Sequence, residues 1–385
     1  MFKVEMERLF HKIWRIVLAG LLIGALAPVS MLQANGVATA ASGAGARDAI
    51  ASMDQSAATA MTQKATLRME AEKNLSSAVI DPAGGFAYFG TDTSPGMVVK
   101  VRLSDFTRVD ALVFKTGEDR LTAAVIDTAD GYAYFGTKTS PGKVVKVRLS
   151  DFSRVDALTL DAGENNLTSA VIDPGDRAAY FGTDTTPGRV VKVDLSSFSR
   201  DNARTLNSGE NNLSVAVIDP GAGFAYFGTS TSPARVVKMR LSDFTRVNAI
   251  TLADNESGLL AGVIDPANNF AYFGTDASSG FVVKVETSAS NFQRIGVLTG
   301  FGAKVVSAVI DTANDFAYFG TQPDSGTAEV RRVRLSTFSQ EGPHVSSQNF
   351  GNLRVGVLDP TNSFAYFGES QDPSRILKVN VDPAN

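Results

Sequence analysis

Residues 167–212 read LTSAVIDPGDRAAYFGTDTTPGRVVKVDLSSFSRDNARTLNSGENN. Val, Ile, Tyr, Phe and Thr suit pleated strands, and Asp, Pro, Gly and Asn punctuate them. The stretch therefore reads as four short strands: Leu167–Ile172, Ala178–Thr183, Arg189–Leu195 and Ala203–Leu206. Asp173–Asp176 and Asp184–Gly188 form the intervening turns, and Asn207–Asn212 leads into another copy of the same pattern.

That pattern recurs. AYFG occurs seven times, with its tyrosine at Tyr88, Tyr134, Tyr180, Tyr226, Tyr272, Tyr318 and Tyr366. VID or VLD also occurs seven times, ending at Asp81, Asp127, Asp173, Asp219, Asp265, Asp311 and Asp359; the spacing is 46 residues five times and then 48. The repeat fills residues 65–385. No segment inside it has helical period, which excludes alternating β/α architectures. A lone four-stranded sheet with apolar residues on both faces cannot bury them, whereas sheets packed radially cover each other. The expected fold is all-β: a seven-bladed propeller of four-stranded antiparallel blades.

The chain ends carry a second signal. The seventh copy supplies three strands and stops at Asp382-Pro383-Ala384-Asn385. Ala65–Met69 precedes the first copy where a fourth strand would lie. The N-terminal strand is expected to complete the last blade against Arg375–Val381 and close the ring.

The pattern of short strand, Asp-Pro turn, aromatic-rich strand, Val-rich strand and return resembles the YVTN family of seven-bladed propellers over residues 65–385. The signature tetrapeptide is here YFGT, as at Tyr88–Thr91, and YFGE in the last copy, Tyr366–Glu369. The resemblance implies a propeller that is exported or held at a cell surface, and it implies no particular chemistry.

Ahead of the repeats, Lys3, Arg8, Lys12 and Arg15 precede an apolar run, Ile16–Leu32, and a small-residue site, Ala38-Thr39-Ala40. This is the layout of a secretory signal peptide over 1–40, with an uncleaved membrane anchor as the alternative reading of the 17-residue run that Pro28 interrupts. Cleavage there removes four basic and two acidic residues, leaves a net charge of −6 and leaves no membrane span. The Ala/Ser-rich stretch 41–64 reads as a spacer, and the expected location is secreted, periplasmic or cell-surface.

Composition narrows the chemistry. With no cysteine, disulfides and thiolate sites are excluded; with two histidines, a multi-histidine metal site is too. A net charge of −4 argues against nucleic acid as partner. Each repeat aspartate is expected to fix its own turn by accepting backbone N–H bonds. Phe106, Phe152, Phe198, Phe244, Phe292 and Phe338 are expected to pack at blade edges. The cation of the third strand (Lys100, Lys146, Lys192, Lys238, Lys284, Arg332, Lys378) is expected to meet a carboxylate or carbonyl between blades.

Positions that differ between copies are free to specialise. Ser76, Thr122, Thr168, Ser214 and Arg354 fall near one channel mouth if the first strand is innermost. Asp92, Asp184 and Asp276 follow YFGT on a face shared with Glu118, Glu164 and Glu210 of the return loops. These eight Ser, Thr, Arg and Asp residues are the candidate ligand-binding positions, and the face they occupy with the glutamates is the candidate surface. No catalytic residue, metal or cofactor is assigned. The function expected is a non-enzymatic, monomeric scaffold for a protein, glycan or surface component. A channel-based enzyme (lactonase-like or quinone-dependent dehydrogenase-like) and a purely structural surface module stay open, with His344 the enzyme reading's one possible base.

Overall fold

A computed structural model describes residues 61–346 and 350–383. Residues 1–60, which hold the signal-peptide reading and most of the spacer, lie outside the described residues. Seven antiparallel sheets follow one another, each running from an inner to an outer strand. Blade one comprises Leu75–Asp81, Phe86–Thr91, Met97–Arg102 and Thr107–Val113. The inner strands of later blades start at Leu121, Leu167, Leu213, Leu259, Lys304 and Val355. Each touches the inner strands on either side, including blade seven against blade one. The protein is a closed seven-bladed β-propeller.

The closing strand is Thr62–Arg68, slightly longer than the sequence suggested. It pairs antiparallel with Arg375–Asn380, setting Leu67 opposite Ile376 and Arg68 opposite Arg375. Outer strands also begin earlier than expected, at Ser199 rather than Ala203 in blade three. SRDNART lies at a sheet edge and is mostly exposed, so it lacks the apolar alternation that marks a half-buried strand. A bulge opposite Lys192 and Val193 further blurs its period. In blade six the outer strand is split into Ser339–Gln340 and Val345–Ser346.

The core lies between blades. The seven repeat tyrosines are fully buried, as is the phenylalanine beside each. The phenylalanine after the third strand stacks on the preceding blade's tyrosine: Phe152 on Tyr88, Phe198 on Tyr134, Phe244 on Tyr180, Phe292 on Tyr226 and Phe338 on Tyr272, with ring centroids 5.6–5.8 Å apart. Gly90 of YFGT stands where a Cβ would come 2.4 Å from Ser77 Oγ. Thr91 Oγ1 accepts the Met97 N–H at 3.0 Å, tying the two ends of the hairpin loop together. In the last copy Glu369, fully buried, takes that place and binds the Arg375 guanidinium.

The repeat aspartates behave as expected: Asp81 Oδ1 accepts Gly84 N–H at 2.8 Å, and Asp173 Oδ1 accepts Gly175 N–H at 3.0 Å. The third-strand cations require a correction. Most meet aromatic faces. Lys100 Nζ sits 4.1 Å from the Phe86 ring centre, with Tyr88 and Phe152 completing a box. Lys378 does the same over Phe364 at 4.0 Å, and Arg332 over Phe316. A ring quadrupole attracts the cation where little water reaches it. Lys238 adds the Ser288 carbonyl, at 3.1 Å. Blade three carries Ala178 where the others have Phe or Tyr, and there Lys192 pairs with Asp201 of the same blade at 3.0 Å.

Candidate functional site

The loop after YFGT and the return loop meet on one face of the ring. Gly96 N–H donates to Glu118 O at 2.9 Å, and Arg120 N–H to Thr93 O at 2.8 Å. Asn74, Asn166 and Asn212, immediately before inner strands, take left-handed φ of 55–56°, a conformation asparagine tolerates.

At the centre of this face is a cavity of about 490 Å3. Seven of the eight candidate residues line it: Ser76, Thr122, Thr168, Ser214, Asp92, Asp184 and Arg354. Asp276 is not part of the lining; it pairs with Lys304 at 2.9 Å. The hydroxyls stitch the inner strands together. Ser76 donates to Leu121 O at 2.9 Å, Thr122 to Leu167 O at 2.6 Å, Thr168 to Leu213 O at 2.9 Å, and Ser214 to Leu259 O. Each keeps lone pairs able to accept from a ligand.

The charges around the cavity are unequal in their partners. Asp92 holds the Arg120 guanidinium at 2.6 Å, and that bond raises the arginine's pKa. Asp184 holds Lys138 at 3.1 Å and also accepts from Asn212. Arg354 is exposed and has no hydrogen-bond or ion-pair partner among the described residues.

The return-loop glutamates do not belong to an open surface, contrary to the expectation for Glu118, Glu164 and Glu210. They are buried and clamp arginines of outer strands: Arg154, Arg200 and Arg246. Glu72 and Glu256 do the same with Arg108 and Arg294. Burial pushes the Glu118 carboxyl up. The Arg154 hydrogen bonds, the Lys115 N–H and the neighbouring cations outweigh it and hold its pKa below the ordinary value.

Asn212, Gln322 and Ser370 also line the cavity and are not among the ligand-binding positions expected from sequence. Gln322 and Ser370 are the sixth- and seventh-copy equivalents of Asp92, so register could have found them. His344 is not part of the lining; its Nε2 lies 4.0 Å from Glu329 Oε2 on blade six.

The chain matches no protein-family model and no curated protein. Among solved structures it is similar to a chain of Kuenenia stuttgartiensis hydrazine synthase, with a TM-score of 0.67 and 11% identity over 83% of this chain and 99% of that one. It is also similar to U3-55K, with a TM-score of 0.64 and 9% identity over 82% of this chain and 99% of that one. At such identities the likeness is one of fold alone.

Proposed function

We propose that this chain is an exported, YVTN-type propeller that serves as a binding scaffold, secreted or held at a cell surface, and takes its ligand at the channel mouth. The observation that carries this reading is Arg354. It is the one charged group lining the cavity without an ion-pair partner among the described residues, while Asp92, Lys138 and Asp184 are each neutralised. A concave site with a few convergent polar groups is where small ligands or ligand tips are held. Export is supported by the N-terminal charge and hydropathy pattern, and the family by the repeat itself. No helix among the described residues is long and apolar enough to cross a membrane.

The enzyme reading gains nothing from His344, which sits apart from the cavity lining. The test is capture from cell-surface material by the purified chain and by Leu260→Trp, which fills the cavity from its apolar side. The expected outcome is selective capture that the variant loses while its far-ultraviolet spectrum and melting temperature stay unchanged. Equal capture by both proteins would remove the mouth as the binding site.

A further inference from the structure

The seven blades present different chemistry to the cavity at one equivalent position of their inner strands. Blades one to four give Ser76, Thr122, Thr168 and Ser214; blades five and six give Leu260 and Val306; blade seven gives Arg354. At this position the ring therefore has a hydroxyl arc, an apolar arc and, at their junction, the cation Arg354, since blade seven adjoins both blade six and blade one, while the other lining cation, Lys138, is paired with Asp184.

Each arc selects a feature of the ligand. The four hydroxyl protons are committed to main-chain carbonyls of the following blade, so towards the cavity these groups offer acceptor capacity. They suit a ligand that donates several O–H bonds. Leu260 and Val306 suit a C–H face. The planar guanidinium of Arg354, free of partners among the described residues, matches the two oxygens of a carboxylate. A cavity of about 490 Å3 can admit a single ring or the end of a chain.

Resting on the reading that the mouth binds a ligand, we infer that it recognises a polyhydroxylated carboxylate of the sugar-acid class, its carboxylate on Arg354 and its hydroxyls on the Ser76–Ser214 arc. Such a group is found both in free sugar acids and at the ends of acidic glycans.

The test is isothermal titration of the full chain with glucuronate, galacturonate, a short oligogalacturonate, glucose and acetate, repeated on Arg354→Ala and Arg354→Lys. A charge-assisted bond should make a uronate bind roughly ten-fold or more tightly than glucose. Acetate, lacking hydroxyls, should bind more weakly than either uronate. Arg354→Ala should weaken uronate binding until the preference over glucose is lost, and Arg354→Lys should restore part of it. Tighter binding of the oligomer than of the monomers points to a glycan end; equal binding points to a free acid. Equal affinity for uronate and glucose, or a preference that survives Arg354→Ala, overturns the carboxylate assignment. The mouth as a capture site still stands if Leu260→Trp abolishes capture. Binding of none of the probes overturns this inference; a neutral Leu260→Trp in the capture experiment would remove the broader reading with it.

Discussion

Phe106 of blade one lies against Tyr366 of blade seven, with ring centroids 5.6 Å apart and planes tilted by 41°. The same aromatic contact that joins five internal pairs of blades thus also spans the seam between the first repeat and the last. Tyr318 of blade six is handled differently. By register Ala384 stands in blade seven where the other blades have the stacking phenylalanine, and the Tyr318 hydroxyl donates to Val381 O at 3.1 Å, as Tyr226 does to Thr287 O at 2.8 Å. Phe106→Ala should cost about 3–5 kcal/mol, as for other buried phenylalanines. Urea denaturation should show a loss close to that of Phe152→Ala, equally buried inside the ring. A loss below about 1 kcal/mol would mean that the seam contact does not hold the ring.

The five glutamate–arginine clamps should stabilise through their buried partner. Glu164 is 1% exposed, accepts from Arg200 and also receives the Asp161 N–H at 3.1 Å. Removing one member of such a pair strands the other, but Arg200 can reach water. Glu164→Ala should therefore cost about 2–3 kcal/mol, toward the low side for a buried pair. Glu164→Gln, which can still accept, should cost less. Chemical denaturation of both variants checks the order; a larger loss for glutamine than for alanine would contradict the clamp.

The strand architecture was legible because it repeats: AYFG and VID mark the same two strands in every copy, and a complementary pair of ends marks closure. The outer strands were harder to delimit, since SRDNART and its relatives carry no buried face to impose a period. The glutamate clamps were hidden for another reason. Glu118 stands in a polar return loop, and its partner Arg154 is 36 residues away, so no local pattern joins them. Candidate site positions were visible as places where copies differ, but which charges are already paired is a matter of geometry. Asp276 and Arg354 look alike as variable charged residues in sequence, yet only one of them has a partner among the described residues.

Blade three offers a comparison within the molecule. Lys192 lacks the aromatic at position 178 and leans on Asp201. Ala178→Phe should restore the box and uncouple the lysine from the carboxylate. A double-mutant cycle between Ala178→Phe and Asp201→Asn, read by thermal melting, should give a coupling of about 0.5–1 kcal/mol. Strict additivity would assign no role to the aromatic substitution.

Alkaline pH should unfold the ring through its tyrosines. Burial pushes Tyr88 and Tyr226 from 10.0 up to about 12 and raises Tyr134, Tyr180, Tyr272, Tyr318 and Tyr366 as well. The unfolded chain releases these protons first, so stability falls as pH climbs from 10 through about 12. Burial lowers the pKa of Lys100, Lys238, Lys284 and Lys378, which works the opposite way: it weakens the fold while they are protonated and is relieved as pH nears 10.5. Seven tyrosines outweigh four lysines above pH 10. Tyrosinate absorbance should therefore rise together with loss of near-ultraviolet dichroism. Ionisation of all the tyrosines near pH 10 in a folded protein would contradict their burial.

Ring closure by the N-terminal strand is tested most directly by amide hydrogen exchange on the intact chain. If Thr62–Arg68 is the outer strand of blade seven, its ladder amides should be protected to a degree comparable with those of Thr107–Val113, the outer strand of blade one. Exchange of 62–68 at the rate of an unstructured peptide, while the other outer strands stay protected, would contradict the closed ring.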